Sequence, residues 1–386
     1  MTSSKFRAFA AALLLSAATA AGTAVLTSPP AEAATVRPQV GAALQAAIKD
    51  ANSGNGNAAM AKIHEAESVG GLTPSEQQAI EQTKNFVAAK TGAGGGAVGA
   101  KAKFANDYNA GRYSAVVGED ADALRKAGAM DGQSQIIIAQ AYYLMHNYDE
   151  CVRYIHDLGR VGQQGLELLN RCAYEAHDEQ SQQAALEQLV VDYNQTKYWS
   201  DLLSSADRTS GMSASDTLDV YRLRFLTGTM RPAPAADYET ATEIAVQLGF
   251  PSEAVTYVQK GIDTKALDAT RGAKLLNLAK TNAATDVANL AKAQAAANAA
   301  KNGDALVKLG EDFWGMGKFQ DALNSIKAGI AKGTTNPDQA QISLAMVYTS
   351  LHQRDQALAA LKSISKTAPP HTQTVARLWS IYARTH

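Results

Sequence analysis

The sequence is poor in proline and in aromatic residues. Proline accounts for 10 of the 386 residues, and aromatic residues make up 6%. Runs of alternating β-branched residues, which are typical of strands, are scarce, while alanine is abundant along the whole chain. A chain of this length would ordinarily contain two or three globular domains, but this composition favours an array of helical repeats, whose core grows linearly with length.

The chain also has no excess of charge of either sign. Lys and Arg number 36, and Asp and Glu number 37. A nucleic-acid-binding protein typically carries a clear basic excess or a basic stripe, and a protein held at a membrane surface carries a polybasic patch. We therefore expect no nucleic-acid partner, and the charge pattern does not indicate membrane-surface binding.

The first 33 residues have the pattern of an export signal. Lys5 and Arg7 precede an alanine-rich apolar stretch at 8–21, and Ala31-Glu32-Ala33 fits a small-x-small cleavage site. The apolar stretch falls short of the roughly 20 strongly apolar residues that span a bilayer. We expect cleavage after residue 33 and a periplasmic or secreted protein with no integral membrane span. An uncleaved anchor is the alternative.

Cysteine is nearly absent, but the two that occur are informative. Cys151 and Cys172 would both reach an oxidising compartment if the chain is exported. A disulfide between them would stabilise the folded state by about 3 kcal/mol, because it lowers the entropy of the unfolded chain. We predict this disulfide, and the alternative is a pair of small buried thiols.

Internal repeats decide the predicted fold. Residues 309–330 read L-G-x-x-F-x-x-x-G-x-F-x-x-A-L-x-x-I-x-x-G-I. Gly310 and Ala322 would let two antiparallel helices approach closely, and Gly317 would turn the chain between them. The pattern resembles the tetratricopeptide repeat. This resemblance implies an all-α, right-handed α-solenoid in which antiparallel helix pairs bury their apolar faces against neighbouring pairs.

Further copies recur at a spacing close to the roughly 34 residues of this repeat. The clearest lie at 138–158, 249–262 and 344–364. Weaker helix pairs fill the gaps, including one at 275–291 with a turn near Thr285-Asp286. A final helix at about 372–383 is expected to cap the last apolar surface.

The predicted organisation has three parts. A signal at 1–33 precedes N-terminal repeats at 34–230 and C-terminal repeats with the capping helix at 235–386. Arg231-Pro232-Ala233-Pro234 is the candidate hinge between the two sets of repeats. We expect the glycine-rich insert at 92–99 to form a turn rather than a phosphate-binding loop, because it has neither a preceding apolar strand nor a following Lys with Ser or Thr.

Longer stretches extend the resemblance beyond the generic repeat. Residues 198–203, 218–223, 227–230 and 303–310 are similar to a set of exported proteobacterial tetratricopeptide proteins. This wider resemblance covers most of the chain from about residue 36 and implies an envelope or secreted solenoid.

Motifs for catalysis are missing from the sequence. The seven histidines form no H-E-x-x-H pair, and no G-x-S-x-G elbow occurs. His146 and His352 occupy equivalent turn positions in two repeats, where we expect them to replace glycine at a helix end. We therefore predict a protein that is not an enzyme and has no metal site or cofactor.

The resemblance also implies where a partner would bind, because the first helix of each tetratricopeptide pair lines a concave face. The strongest candidates are Ile136, Gln140, Tyr143, Glu311, Trp314, Ile342 and Met346, and the same mapping adds Gln133, Asp304, Val307, Gln339 and Thr349. Such aromatic and methionine side chains would anchor a helix or an extended peptide. Packing against the adjacent repeat is the alternative role for Tyr143 and Trp314.

Two functions follow from this pattern. The first is a non-catalytic scaffold of the bacterial envelope or secreted fraction that binds protein or peptide partners on its concave face. The second is an exported helical protein that binds a small ligand or carbohydrate. An apolar patch along the groove would favour the first, and a deep enclosed pocket with convergent polar groups would favour the second.

Overall fold

The computed structural model describes residues 36–93, 96–232 and 236–386. The predicted signal and part of the candidate hinge lie outside these described residues. Within them the chain is helical and has no strand, which confirms the predicted all-α class. None of the helices in these ranges is long and apolar enough to cross a membrane. The chain divides into two compact units, Met1–Met130 and Asp131–His386.

The first unit consists of successive helices packed in adjacent pairs. They are α1 (Pro38–Asn52), α2 (Gly56–Glu67), α3 (Pro74–Thr91), α4 (Gly96–Asn109), α5 (Tyr113–Ala115), a π-helical turn (Val116–Asp120) and α6 (Ala121–Lys126). Thr73 and Glu76 form a capping box that fixes the start of α3. Val40, Ile63 and Ile80 bring α1, α2 and α3 together in one apolar cluster.

The second unit also consists of successive helices and has more of them. They are α7 (Gly132–Leu144), α8 (Tyr148–Asp157), α9 (Gln163–Glu175), α10 (Glu179–Tyr193), α11 (Thr196–Ala206), α12 (Ala214–Leu226), α13 (Asp237–Leu248), α14 (Pro251–Asp263), α15 (Ala269–Ala299), α16 (Asp304–Gly315), α17 (Phe319–Lys332), α18 (Pro337–Ser350), α19 (Arg354–Lys362) and α20 (Pro370–Thr385). Consecutive helices pack against one another throughout this unit. The predicted boundary after Met230 lies within it.

The repeat positions have the geometry that their residue types indicate. A Cβ atom added at Gly310 would lie 2.4 Å from Ile326 Cγ1 and 3.0 Å from the Ala322 carbonyl oxygen, so only glycine permits this approach of α16 to α17. His146 (φ 60°) and His352 (φ 57°) are left-handed at their turns, like Gly317 (φ 73°). The prediction that these two histidines replace a turn glycine is confirmed.

The predicted disulfide is also confirmed. Cys151 on α8 and Cys172 on α9 are joined with a Cα–Cα distance of 6.0 Å. Both cysteines are fully buried beside Ile155 and Leu168. The bond therefore joins two neighbouring helix pairs within an apolar cluster.

The helix pair predicted at 275–291 is wrong, because these residues form part of one continuous helix. α15 runs for 31 residues and has no turn at Thr285-Asp286. The Thr285 hydroxyl donates a hydrogen bond to the Thr281 carbonyl oxygen one helical turn earlier. No glycine or proline follows Gly272 within the helix, and its alanine-rich sequence has high helix propensity. Ala279 packs into the α13–α14 cluster and Ala297 into the cluster around α16, so α15 connects two parts of the core.

The final helix is present as predicted, but it packs against more of the molecule than a terminal cap does. α20 packs against α18 and α19 and also against α10 and α12, which lie far earlier in the sequence. Trp379 and Ile381 are buried, and the Tyr382 ring lies 5.9 Å from that of Trp199 on α11. In an open repeat array each repeat packs only against its neighbours. The second unit therefore has an additional layer of long-range packing.

Candidate binding site

A fully buried arginine lies at the centre of the second unit. Arg222 on α12 donates from Nε and Nη2 to the two carboxylate oxygens of Glu253 on α14, at 2.8 Å each. Its Nη1 donates to Asp219 Oδ1 at 2.8 Å and to Glu311 Oε2 of α16 at 3.2 Å. We call Asp219, Arg222, Glu253 and Glu311 the buried arginine cluster. It joins three helices that are distant in sequence.

Aromatic rings enclose the guanidinium of this cluster. Arg222 Cζ lies 5.3 Å from the centre of the Phe250 ring and 5.2 Å from that of Trp314. A guanidinium over an aromatic face is stabilised by the ring quadrupole, most strongly where water is excluded. The rings therefore help to offset the cost of burying the Arg222 charge.

Neutral donors add further hydrogen bonds to each of the three carboxylates of the cluster. Gln339 Nε2 on α18 donates to Asp219 Oδ2 at 2.8 Å, and Ser343 Oγ donates to Glu311 Oε1 at 2.7 Å. The Tyr257 hydroxyl donates to Glu253 Oε1. Because buried charges are tolerated only when paired and hydrogen-bonded, this network fixes α12, α14, α16 and α18 relative to one another.

The buried arginine cluster carries an excess of acid. Three carboxyl groups surround one guanidinium. Burial raises the pKa of Asp219 to about 7; the positive charge of Arg222 opposes this shift, and the negative charge of Glu311 adds to it. The same carboxylates hold the pKa of Arg222 well above its usual value despite its burial. The cluster therefore stays anionic and exchanges a proton near neutral pH.

A pocket of ≈ 210 Å³ opens beside this cluster between α16 and α18. Phe250 and Val307 form part of its apolar lining, while Asp304, Lys308, Glu311 and Gln339 supply charged and polar groups. Glu311 and Gln339 belong to both the pocket and the hydrogen-bond network of the cluster. We call this cavity the α16–α18 pocket.

Asp304 is the carboxylate at the N-terminal end of α16 in this pocket. It accepts hydrogen bonds from the Thr335 backbone N–H at 2.8 Å, the Thr335 hydroxyl at 2.9 Å and Asn302 Nδ2 at 2.8 Å. These bonds, led by that from the Thr335 backbone, hold the pKa of Asp304 below its usual value. The Asp304 carboxylate is therefore ionised and held in position.

The structure brings together four of the mapped concave-face positions. Asp304, Val307 and Glu311 of α16 and Gln339 of α18 line the same pocket. Trp314 lies one turn further along α16, where its ring packs on Arg222 and its Nε1 donates to Ser350 Oγ at 2.7 Å. Packing against the neighbouring helix pair therefore accounts for this residue.

Other mapped positions lie elsewhere. Ile342 and Met346 are fully buried in the core, so their side chains support the fold and are not accessible to a partner. Ile136, Gln140 and Tyr143 are partly buried on α7, outside the α16–α18 pocket. The Ile136 side chain lies against α9 near Gly165, and the Tyr143 ring is 5.5 Å from that of Tyr148.

An acidic group in the first unit has ligand atoms close enough to hold a metal ion. One oxygen each of Asp107, Glu119 and Asp120 lies within 4.8 Å of the others. Lys103 Nζ already contacts all three, at 2.9 Å from Asp107 Oδ2 and 3.2 Å from Glu119 Oε1. The lysine ammonium therefore provides the compensating positive charge at this position, and the group serves as an ion-pair network.

No family model matches this chain, and no curated protein matches it. The tetratricopeptide resemblance therefore remains a prediction that rests on the residues alone.

Sequence reasoning missed the buried arginine cluster. Asp219 and Arg222 occur in the stretch L-D-V-Y-R-L-R-F-L, where they alternate with apolar residues. Three charged side chains within so apolar a stretch are the signal that could have indicated burial, because such a stretch has too little polar surface to keep them all in water.

Proposed function

We propose that this protein is a non-catalytic binding scaffold that receives a basic side chain of a partner polypeptide in the α16–α18 pocket. The observation that supports it most is the convergence of Asp304, Glu311 and Gln339 from two neighbouring helix pairs beside the anionic cluster. Export to the periplasm or the medium and a right-handed tetratricopeptide arrangement belong to the same proposal.

Charge complementarity favours a lysine or arginine side chain as the group bound. Asp304 and Glu311 line the pocket, and Asp219 and Glu253 lie directly behind it, whereas Arg222 and Lys308 are the cations of this region. The region is therefore negative. Coulombic attraction to an incoming cation is strengthened where the surroundings are of low polarity.

The size of the pocket favours a peptide side chain over a separate small molecule. Sites that enclose a drug-sized ligand typically measure about 300–1,000 Å³. At ≈ 210 Å³ the α16–α18 pocket is smaller than this range and suits a single long side chain. At the α16–α18 pocket, the alternative function, binding of a small ligand or carbohydrate, has less support from the volume.

The test is a binding screen that makes no assumption about the partner. The purified protein is applied to an array of random decapeptides, and bound sequences are analysed for enrichment of lysine and arginine. Peptides that bind are then measured by calorimetry against the wild type and Asp304→Asn. We expect about fivefold weaker binding to the variant, close to 1 kcal/mol for one partly exposed charge pair.

Asp321→Asn is the matched control, because Asp321 is an exposed aspartate on α17 outside the α16–α18 pocket. It should leave the affinity unchanged. Equal recovery of basic and acidic peptides from the array, or equal losses in the two variants, would refute the proposal.

A further inference from the structure

Two aspartates face one another where the long helix α15 meets α16. The carboxyl group of Asp312 on α16 lies within hydrogen-bonding reach of that of Asp286 on α15. Asp286 Oδ2 and Asp312 Oδ1 are both shielded from solvent, and neither has a hydrogen-bond partner among the described residues. We call these two residues the aspartate pair. Two ionised carboxylates at such a contact would repel each other strongly.

The charged groups around the pair do not neutralise it. Glu253 of α14 faces Asp312 and adds to the negative potential, while Lys308, one turn earlier on α16, opposes it. Glu253 is itself held by Arg222 and Tyr257. Burial acts in the same direction as Glu253, because it disfavours the charged form of a carboxyl group.

Beyond the aspartate pair, the packing of α15 against its neighbours is incomplete. Leu290, Gln294 and Asn298 follow Asp286 at intervals of four residues and therefore lie on the same face of α15. They line a cavity of ≈ 420 Å³ between this helix, α16 and α17. Val287, one residue after Asp286 on this helix, is 55% exposed.

The first half of α15 is attached more firmly. Gly272 lies against Ile262 of α14, and Ala279 is fully buried in the α13–α14 cluster. In the second half the contacts include the aspartate pair, Leu290, Ala297 and a hydrogen bond of 2.7 Å from Lys332 Nζ to the Asn298 carbonyl oxygen. The second half is therefore the part of this helix that can separate at low cost.

We propose that Asp286 and Asp312 share one proton and form a pH-sensitive latch that holds the second half of α15 against α16 and α17. In the closed state, one carboxyl group donates its O–H to the other, ionised carboxylate. Loss of this proton to solvent leaves two adjacent carboxylates, and their repulsion releases the helix.

The direction of the pH dependence follows from proton affinity. Burial, followed by the contact with Asp286, raises the pKa of Asp312 to about 8. The closed state therefore retains a proton that the open state loses above the ordinary aspartate pKa of about 4. The proton therefore contributes fully to closure below about pH 4. As the pH rises further, the equilibrium constant for closure falls by up to tenfold per pH unit, and the proton contributes nothing above about pH 8.

The test measures the distance between α15 and α17 directly. Spin labels are attached to Ala293→Cys and Lys327→Cys, both at exposed positions, under non-reducing conditions that keep the Cys151–Cys172 bond. Pulsed electron resonance then gives the distance distribution between about pH 6 and pH 9.5, on either side of the Asp312 pKa of about 8. We expect a narrow distribution at the lower pH and a longer, broader one at the higher pH.

Two variants in the labelled protein separate the latch from general unfolding. Asp312→Asn should give the narrow distribution at both pH values, because its amide donates to Asp286 without a titrating proton. Asp263→Asn, an exposed aspartate on α14, should behave like the parent. A distribution independent of pH in the parent, or an equal shift in Asp312→Asn, would overturn the proposal. So would broadening at the lower pH on addition of a chelator, because a metal ion would then hold the pair.

Discussion

At the scale of single residues, Arg222 connects three helices of the second unit. Its four hydrogen bonds reach carboxyl groups on three helices, and its side chain is 2% exposed. An ion pair of this kind adds little net stability compared with a well-packed apolar core, but removal of one partner is costly because the others stay buried and charged. The cluster therefore specifies one arrangement of α12, α14 and α16.

Substitution of Arg222 tests this role. Arg222→Ala should lower the free energy of unfolding of the second unit by about 3–5 kcal/mol, because three buried carboxyl groups lose their cation. Urea denaturation followed by tryptophan fluorescence is suitable, since Trp199, Trp314 and Trp379 all lie in this unit. Part of the loss should be recovered on lowering the pH, because protons then neutralise the stranded carboxylates.

Arg208→Ala is the control for this experiment, because Arg208 is exposed in the turn after α11. It should change the free energy of unfolding by less than about 0.5 kcal/mol. Equal effects of the two substitutions would contradict a central role for the buried guanidinium.

Residue-level features can be predicted where their cause is local. The left-handed turns at His146 and His352 follow from the repeat pattern around them. The disulfide follows from the presence of two cysteines in a chain with the pattern of an export signal. The environment of Arg222 has no local cause. Its partners on α14 and α16 lie 31 and 89 residues along the chain, so the burial of this side chain is decided by tertiary packing.

At the scale of helices, close packing within a pair depends on the smallest side chains. α16 and α17 approach so closely at Gly310 that a methyl group would collide with Ile326 and with the backbone of Ala322. Since backbone cannot be displaced as a side chain can, the collision must move one helix relative to the other.

Gly310→Ala should therefore destabilise the second unit by about 1–3 kcal/mol, although alanine is the better helix former. Gly132→Ala at the start of α7 serves as the control, because a Cβ there would have no atom within 4 Å. Thermal unfolding monitored by circular dichroism compares the two. A Gly310→Ala protein as stable as the wild type would show that the helices separate without cost.

α15 shows the limit of prediction at this scale. The repeat period indicates a turn near Thr285-Asp286, and both residue types are common in turns, yet the helix continues through them. Flanking alanines favour helix, and packing at both ends of α15 holds it in place. Asp286 is therefore a partly buried helix residue that faces Asp312 and not a turn residue, and no periodicity argument could have found that pairing.

At the scale of the whole molecule, the all-α class and the succession of helix pairs can be predicted, but the long-range closure of the second unit cannot. α20 packs against α10 and α12 as well as against its sequence neighbours. Repeat patterns describe the packing of adjacent units, and they carry no information about the packing of distant ones. Four residues that the tetratricopeptide resemblance maps to one face, Asp304, Val307, Glu311 and Gln339, line the α16–α18 pocket.

Trp379→Ala tests the packing of α20 against α10 and α12. The substitution removes a large, fully buried side chain of α20 and should cost about 3–5 kcal/mol. Hydrogen exchange followed by mass spectrometry should show faster exchange in α10 and α12 as well as in α18 and α19. Faster exchange restricted to α18 and α19 would indicate that α20 stabilises only its neighbours.

The position of α20 also has a consequence for the order of assembly. α10 and α12 emerge from the ribosome well before residues 370–385 are synthesised, and domains otherwise begin to fold from the N-terminal side during synthesis. Because Trp379 and Tyr382 of α20 complete the apolar surroundings of Trp199 on α11, the segment from α10 to α12 lacks part of its core until α20 is present. The second unit can reach its native state only after translation has passed its last helix.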